Sequence, residues 1–346
     1  MFLAIALYIF ILLLSFVLLA RIVDLFFIAS LDRISRDLRL SSDAAGATLM
    51  AVGSSAPELF VALFAVLKPG EHQIIGIGSI VGSAIFNLLV IVGAAALVKS
   101  TKLNWKPMFR DILFYTLTVT MLVVFIWDGH FTLTESIAFL GLYVVYVVAV
   151  VYWRRILPHN DVELGEDVQE AHGEHNKITR PLDQFLCFIF PKAERYYLVF
   201  FFSIVLIAAL SYVLVEVAVE TAHIMNIPEA IIALTVLAVG TSIPDLFSSI
   251  IVAKQGRGDM AVSNAIGSNI FDILVGLGLP FLIVMSLSGG TVDAGGDIVT
   301  SVLILFGSVV LLIGLLLVRR WKVGKLTGFI LVAAYVAYVI YEIMKL

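Results

Sequence analysis

Charge is scarce in this chain of 346 residues. Asp, Glu, Lys and Arg together make up 14%, hydrophobic residues 61%, and mean hydropathy is +1.07. Soluble domains carry about 25% charged residues, so the deficit excludes an ordinary soluble globular protein. Cysteine is nearly absent too: Cys187 alone rules out an internal disulfide framework. The first apolar run, Phe2 to Ala20, lacks a basic leader and a small-residue cleavage site, and reads as a retained helix. The net charge of −4 singles out no partner, because most acids and bases fall in loops or in a few special segments. Nothing calls for nucleic acid or a cofactor. The partners expected are the lipid bilayer and inorganic cations.

Long apolar runs are what the chain has instead. Ten are expected, near 2–29, 43–67, 74–98, 108–127, 132–153, 197–222, 229–253, 260–286, 297–318 and 324–343. About 18 such residues suffice to cross the ~30 Å hydrocarbon core. The fold class expected is an all-α membrane protein.

Basic residues orient it. With the amino terminus outside, the inward connections hold Arg33, Arg36, Arg39, Lys99, Lys102, Lys106, Arg110, Arg154, Arg155, Lys177, Arg180, Lys192, Arg195, Lys254, Arg257, Arg319, Arg320, Lys322 and Lys325. These are 19 of the 22 Lys and Arg residues; Lys68 and Lys345 lie outside and Arg21 within the first span. Both termini are therefore expected outside, with the central loop cytoplasmic and the cell membrane as the location. Trp105, Trp127, Trp153 and Trp321 all fall at span ends, where an amphipathic indole suits the headgroup region. The central loop, Pro158 to Asn176 at its middle, carries six acids with His159, His172 and His175. It lacks the alternation and glycine turn of a calcium loop, and a solvated acidic linker explains it better. Leu182 to Phe190 beyond it are apolar enough to lie on the membrane surface.

A duplication organises the rest. Gly53-Ser54-Ser55-Ala56-Pro57-Glu58 and Gly82-Ser83-Ala84-Ile85-Phe86-Asn87 return as Gly240-Thr241-Ser242-Ile243-Pro244-Asp245 and Gly267-Ser268-Asn269-Ile270-Phe271-Asp272. Pro57 and Pro244 are 187 residues apart, Phe86 and Phe271 185. The loop divides the chain into residues 1–155, with one motif over 43–95, a linker 156–195, and residues 196–346, with the second motif over 229–280. Five spans per half, an odd number, give the copies opposite orientations. The expectation is two inverted five-helix repeats whose broken, acid-bearing helices meet at the midplane, the pattern of a transporter ion site.

Each proline removes a backbone donor, so carbonyls near Ala51 to Ser54, and near Ala238 in the second copy, lose helical partners. Unpaired carbonyls survive in hydrocarbon only where buried or facing a cavity, and a cation satisfies them. Ser41, Ser42 and Asp43 open the second span as capping residues. Ser83 with Asn87, and Ser268 with Asp272, stand four apart and share a helix face. The candidate set is Glu58, Asn87, Asp245 and Asp272 with Ser54, Ser55, Ser83, Thr241, Ser242 and Ser268. All offer oxygen and none is a thiol or imidazole, which points to Ca²⁺, Na⁺ or K⁺ rather than zinc, copper or iron. Helix-packing glue explains Ser248, Ser249 or Gly276. It does not explain three carboxylates that each cost about 2.5–3.5 kcal/mol at a span centre. If all three ionise, Ca²⁺ with K⁺, or three Na⁺, would neutralise them; if one stays protonated, Ca²⁺ suffices.

These motifs resemble the cation/calcium exchanger superfamily. With Ala45-Gly46-Ala47-Thr48, Leu59-Phe60 and Gly258-Asp259-Met260-Ala261-Val262-Ser263, they look most like its potassium-dependent sodium/calcium exchanger branch. The resemblance implies exchange of Ca²⁺ for Na⁺, with K⁺ co-transport suggested by Asp272, or Ca²⁺/H⁺ exchange as the rival. It implies Glu58 and Asp245 as the main Ca²⁺ carboxylates. Backbone and hydroxyl oxygens around Ala51, Ser54, Ser55, Ala238, Thr241 and Ser242, with Ser83, Asn87, Ser268 and Asp272, would complete the sites. It also suggests that the first and sixth spans slide; Asp24, Glu216 and Glu220 on them belong to access routes or to interfaces. An aspartyl protease, prompted by Gly256-Arg257-Gly258-Asp259, fits less well than helix capping by Asp259. A channel is disfavoured because so many acids would hold Ca²⁺ too firmly for rapid passage.

Overall fold

In the computed structural model, residues 2–38, 51–68, 72–156, 180–254, 256 and 258–345 are described. Eleven helices position the candidate residues. They are α1 (Ala4–Leu31), α2 (Ala56–Leu67), α3 (Gln73–Val98), α4 (Trp105–Ile126), α5 (Leu133–Trp153), α6 (Arg180–Ile189), α7 (Tyr196–Met225), α8 (Glu229–Lys254), α9 (Gly258–Ser288), α10 (Ile298–Val318) and α11 (Lys325–Ile343). Among the described residues nine of these are long and apolar enough to cross a membrane; α2 has 12 residues and α6 has 10. Helix α2 falls within the span expected over 43–67, of which residues 43–50 lie outside the described residues, as do the acidic middle of the central loop, Ser41, Ser42 and Arg257.

The helices are long because their apolar runs are long, and where they deviate the sequence gives the reason. Pro57 sits in the first turn of α2, after a separate turn Ala51–Ser54 and a break at Ser55 (φ −96°, ψ 7°). Proline suits a first turn, where its missing N–H has no partner to lose. In the second copy the helix carries Pro244 inside its run, after a π-turn at Ala233–Leu237. The expected break is thus present in one copy and absorbed in the other. The span expected over 260–286 is interrupted at 275–277, where Gly276 and Gly278 loosen it. A π-turn at Asn87–Ile91 lies at the matching place in α3, and Gly276 donates five residues back to Phe271 O at 3.1 Å.

Among the described residues two large apolar cores result, with a small third cluster of Ala95, Val252, Ala253 and Ala261 between α3, α8 and α9. One joins α3, α4, α5, α9, α10 and α11. The other joins α1, α7 and α6 to α2 and the start of α8. Helix α3 is the axis of the bundle: 83% of its most apolar window is buried, against 22% for α5. Short antiparallel pairs close the ends, Thr101–Lys102 (β1) with Lys322–Val323 (β4), and His130–Phe131 (β2) with Val292–Asp293 (β3). The β1–β4 end gathers Lys99, Lys102, Arg319, Lys322 and the start of α9, whose Gly258 abuts Thr101. Elsewhere Arg33 donates to Ala193 O at 2.6 Å. Around α2 and α7, Lys68 pairs with Glu216 at 2.5 Å and His72 with Glu229 at 3.0 Å.

Some polar residues have different roles from those expected. Arg110, counted among loop cations, is 7% exposed and donates to the neighbouring Asp111 at 2.8 Å. Asp111 also accepts from Ser263 at 2.7 Å, tying α4 to α9. Arg21 makes a two-bond contact to Asp183 (2.7 and 2.9 Å), which fastens α6 onto α1, and Phe26 stacks on Phe190 there with centroids 3.7 Å apart. The other side of α6 bears Phe185 and Phe188, 59% and 88% exposed, as a surface-lying helix requires. Asp259 accepts from Met260 N at 2.9 Å at the start of α9, which is capping.

Candidate ion-binding site

The site lies where α2, α3, α8 and α9 converge. Pro57 has no N–H to offer Gly53 O, and Pro244 none for Gly240 O, so each copy brings at least one carbonyl without its helical donor to this level. Glu58 follows at the amino-terminal turn of α2, where the helix dipole favours an anion. Its carboxylate folds back toward its own N–H, and the hydroxyls of Thr241 and Ser242 stand beside it. Asp272 has Ser55 beside it. Glu58 lies within electrostatic range of both Asp245 and Asp272, and these two of each other. Glu58 and Asp272 are 2% and 1% exposed, whereas Asp245 and Ser54 are only partly buried.

Contacts between the copies run through hydroxyls and amides. Ser83 and Ser242 share a hydrogen bond of 2.8 Å. Asn87 donates to Asn269 Oδ1 at 2.9 Å and, weakly, to Ser83 Oγ at 3.5 Å. Ser268 turns away, donating to Ala265 O at 3.2 Å in its own helix, and Thr241 donates to Leu237 O at 3.0 Å. Ala238 is fully buried against α3, where the Cβ position of Gly82 lies 2.7 Å from its Cβ and 2.4 Å from Leu234 O. Ala51 belongs to the turn Ala51–Ser54 that leads into the break. Phe16 of α1 presses on Gly240, whose Cβ position is 2.2 Å from its ring.

Four buried oxygens here have no hydrogen-bond partner among the described residues: Ser55 Oγ, Glu58 Oε2, Asn87 Oδ1 and Asp272 Oδ1. Orphaned buried polar atoms are rare and call for an unseen partner. Glu58 Oε2, Asn87 Oδ1 and Asp272 Oδ1 are acceptors when the carboxyls are ionised, and the Ser55 hydroxyl oxygen can also accept, so a hard cation can serve all four. No three acidic or imidazole side chains among the described residues converge closely enough to hold an ion alone, so hydroxyl, amide and backbone oxygens must complete any coordination.

Two residues outside the expected set belong here. Asn269 is fully buried and donates to Ala84 O and to Tyr115 Oη, both at 3.0 Å. With both amide hydrogens committed, its Oδ1 must accept from Asn87, which turns Asn87 Oδ1 to the orphaned position. The signal was in the motif itself: Asn269 replaces Ala84 of the first copy. Tyr115 lies in an apolar run with nothing to distinguish it.

A family model described as sodium/calcium exchanger protein matches residues 7–152 and 195–344. Sodium/potassium/calcium exchanger 4 of Mus musculus is 28% identical over 94% of this chain and 79% of its own length. Sodium/potassium/calcium exchanger 5 of Homo sapiens is 30% identical over 84% and 73%. Among solved structures, the sodium-calcium exchanger NCX_Mj superposes with a TM-score of 0.62 at 25% identity, covering 97% of this chain and 98% of that one. The H⁺/Ca²⁺ exchanger CAX gives 0.74 at 18% identity, over 96% and 82%, a likeness of fold alone.

Proposed function

The chain belongs to the sodium/calcium exchanger protein family, and on that premise we propose that it is a secondary antiporter exchanging Ca²⁺ for Na⁺, with K⁺ moving alongside Ca²⁺. Its relatives are exchangers, not enzymes. The observation that carries the reading is the set of orphaned acceptors on Ser55, Glu58, Asn87 and Asp272, drawn from both copies of the motif and buried at one level. Left unsatisfied in a membrane each would cost several kcal/mol; the transported cations satisfy them.

In this reading Glu58 and Asp245 are the principal Ca²⁺ carboxylates. Ser54, Ser55, Thr241, Ser242, Ser83, Asn87, Ser268 and the backbone at Ala51 and Ala238 supply further oxygens. Asp272 brings the third negative charge that a K⁺ would balance. Ca²⁺ and Na⁺ cannot both satisfy the same carboxylates at once, and that competition couples their movements. The layout that goes with it is ten spans in two inverted repeats, basic face toward the cytoplasm, both termini outside, in the cell membrane. Helices α1 and α7, which share a core with α6, α2 and the start of α8, are the pair that slides.

The test is ⁴⁵Ca²⁺ uptake into proteoliposomes driven by a Na⁺ gradient at symmetric pH, with and without K⁺, in the natural protein and in Asp272→Asn. Uptake that needs Na⁺ and K⁺, and loses its K⁺ dependence in the variant, is expected. Uptake driven by a pH gradient and indifferent to Na⁺ would establish proton exchange instead. Retained K⁺ dependence in Asp272→Asn would remove the role given to that carboxylate.

A further inference from the structure

The connection between α10 and α11 and the strand between α3 and α4 enclose a cavity of about 530 Å³, remote from the acidic site. Lys102, Arg319, Lys322 and Lys325 line it, with no acidic residue among its walls. None of the four cations forms an ion pair among the described residues. Lys102 and Lys322 stand directly opposite each other in the β1–β4 ladder. Like charges so placed are destabilising, and the fold keeps them there.

The backbone adds to this. Helix α11 starts in the cavity wall, and Gly324 before it provides no side-chain cap. Its first N–H groups and its dipole therefore favour an anion. Thr327, 2% exposed, lines the cavity from the first turn of α11, and its hydroxyl has no partner among the described residues. Arg320 and Trp321, beside the cavity, both take positive φ (50° and 62°), an uncommon conformation for residues other than glycine. Strain of this kind collects at ligand sites.

We propose that this cavity binds a phosphate-bearing anion. A phosphate ester offers several acceptor oxygens to the lysines, the arginine, the Thr327 hydroxyl and the helix terminus together, and it removes the Lys102–Lys322 repulsion. Two sources share this chemistry, a lipid headgroup and a soluble phosphate. Leu317, Val318, Leu326 and Phe329, between 55% and 80% exposed, flank the opening and suit acyl chains. Basic pockets between membrane helices hold phosphorylated headgroups by the same physics. The bound anion would join the α3–α4 and α10–α11 connections and fasten that end of the bundle.

The experiment is native mass spectrometry of the full chain with phosphatidic acid added to phosphatidylcholine micelles, in the presence or absence of inorganic pyrophosphate. One saturable phosphatidic acid is expected. Lys322→Gln with Lys325→Gln should weaken it roughly 25-fold, at about fivefold for each cation removed near a membrane surface. Lys102→Gln alone should weaken it about fivefold and raise the melting temperature of the lipid-free protein, because the opposed lysines no longer repel. Lys192→Gln with Lys254→Gln, charges outside the cavity, should leave binding as it is. Displacement of the lipid by pyrophosphate assigns the site to free phosphates; failure of pyrophosphate to compete assigns it to lipid. The proposal is overturned if neither probe binds, or if the outer pair weakens binding as much as the cavity pair. Neither result touches the exchange reading, which is measured by flux.

Discussion

Replacing Gly82 by alanine tests the α3–α8 contact on which the ion site rests. The added Cβ would stand 2.4 Å from Leu234 O and 2.7 Å from Ala238 Cβ, and the nearer obstacle is backbone. Restoring an ordinary separation of at least 3.4 Å requires α3 and α8 to part by about 1 Å. Overpacking of this kind costs about 1–3 kcal/mol, and a rigid carbonyl puts it at the upper end. The same displacement stretches the Ser83–Ser242 hydrogen bond from 2.8 Å past any useful length. Gly267, at the matching place in the second copy, meets only Tyr146 Oη at 3.7 Å and should accept alanine freely. Gly82→Ala should lower the melting temperature by roughly 6 °C, taking about 2 °C for each kcal/mol, and weaken apparent Ca²⁺ affinity about tenfold or more. Gly267→Ala should change neither. Detergent melting curves and Ca²⁺-dependent uptake measure the two effects. A Gly82→Ala protein indistinguishable from the natural one, or a Gly267→Ala protein equally damaged, would falsify the contact as described.

Asn269→Ala removes the near acceptor of Asn87 Nδ2, which keeps only Ser83 Oγ at 3.5 Å, and the amide donor at Tyr115 Oη, at about 1–3 kcal/mol for a buried group left unpaired, while Ala84 O keeps the Asn87 N–H. Apparent Ca²⁺ affinity should fall more than stability does, since Asn87 is then free to turn; uptake titrations and melting curves separate the two. Asp183→Asn takes the two-bond charge partner from Arg21, leaving it the longer pair with Asp24 (3.4 Å), and should loosen α6 at a cost of about 1.5–3 kcal/mol. Faster proteolysis within residues 180–195 would report it, and an unchanged digestion pattern would show that the pair does not hold α6. Asp111→Ala, which removes the neighbouring carboxylate of the buried Arg110 and the acceptor of Ser263, should destabilise by about 3 kcal/mol. Tyr146→Phe, losing only a 3.5 Å contact to the same carboxylate, should cost about 0.5 kcal/mol in the same melts.

Much of this architecture is legible in the chain because membrane physics leaves few options. Apolar length marks the helices, and the i, i+4 spacing places Ser83 with Asn87 on one face. What the pattern withholds is the partner of each face. Asn87 and Asn269 are 182 residues apart, and only folding shows them bonded. Proline tells that a hydrogen bond is missing but not whether the helix stops, as at Ser55, or continues, as through Pro244. Arg110 looked like a loop cation because it borders a span; the adjacent Asp111 is what lets it be buried. Gly276, Gly278 and Pro280 do carry the signal for the interruption of α9, but a strongly apolar run hides it. Ala84 and Asn269 hold matching places in the two motifs and touch, the amide of one reaching the carbonyl of the other.

The same comparison separates two arms of the site. Ser83 and Ser242, on α3 and α8, are bonded at 2.8 Å. Their counterparts in the duplication are Ser268 and Ser55. Here Ser268 donates to its own helix and Ser55 Oγ is an orphan, so this second arm is open. If the copies exchange roles as the site turns from one side of the membrane to the other, the second arm closes when the first opens. Cysteines at 83 and 242 should then cross-link one state, and cysteines at 55 and 268 the other, in a background with Cys187→Ser. Transport is lost in both because the hydroxyls are lost, so the readout is sidedness. A membrane-impermeant thiol reagent applied to a third cysteine at Ser54, which is partly exposed, should react from opposite faces in the two cross-linked proteins. Reaction from the same face in both would mean that the arms do not alternate, and that the difference between Ser83–Ser242 and Ser55–Ser268 is a fixed divergence of the copies.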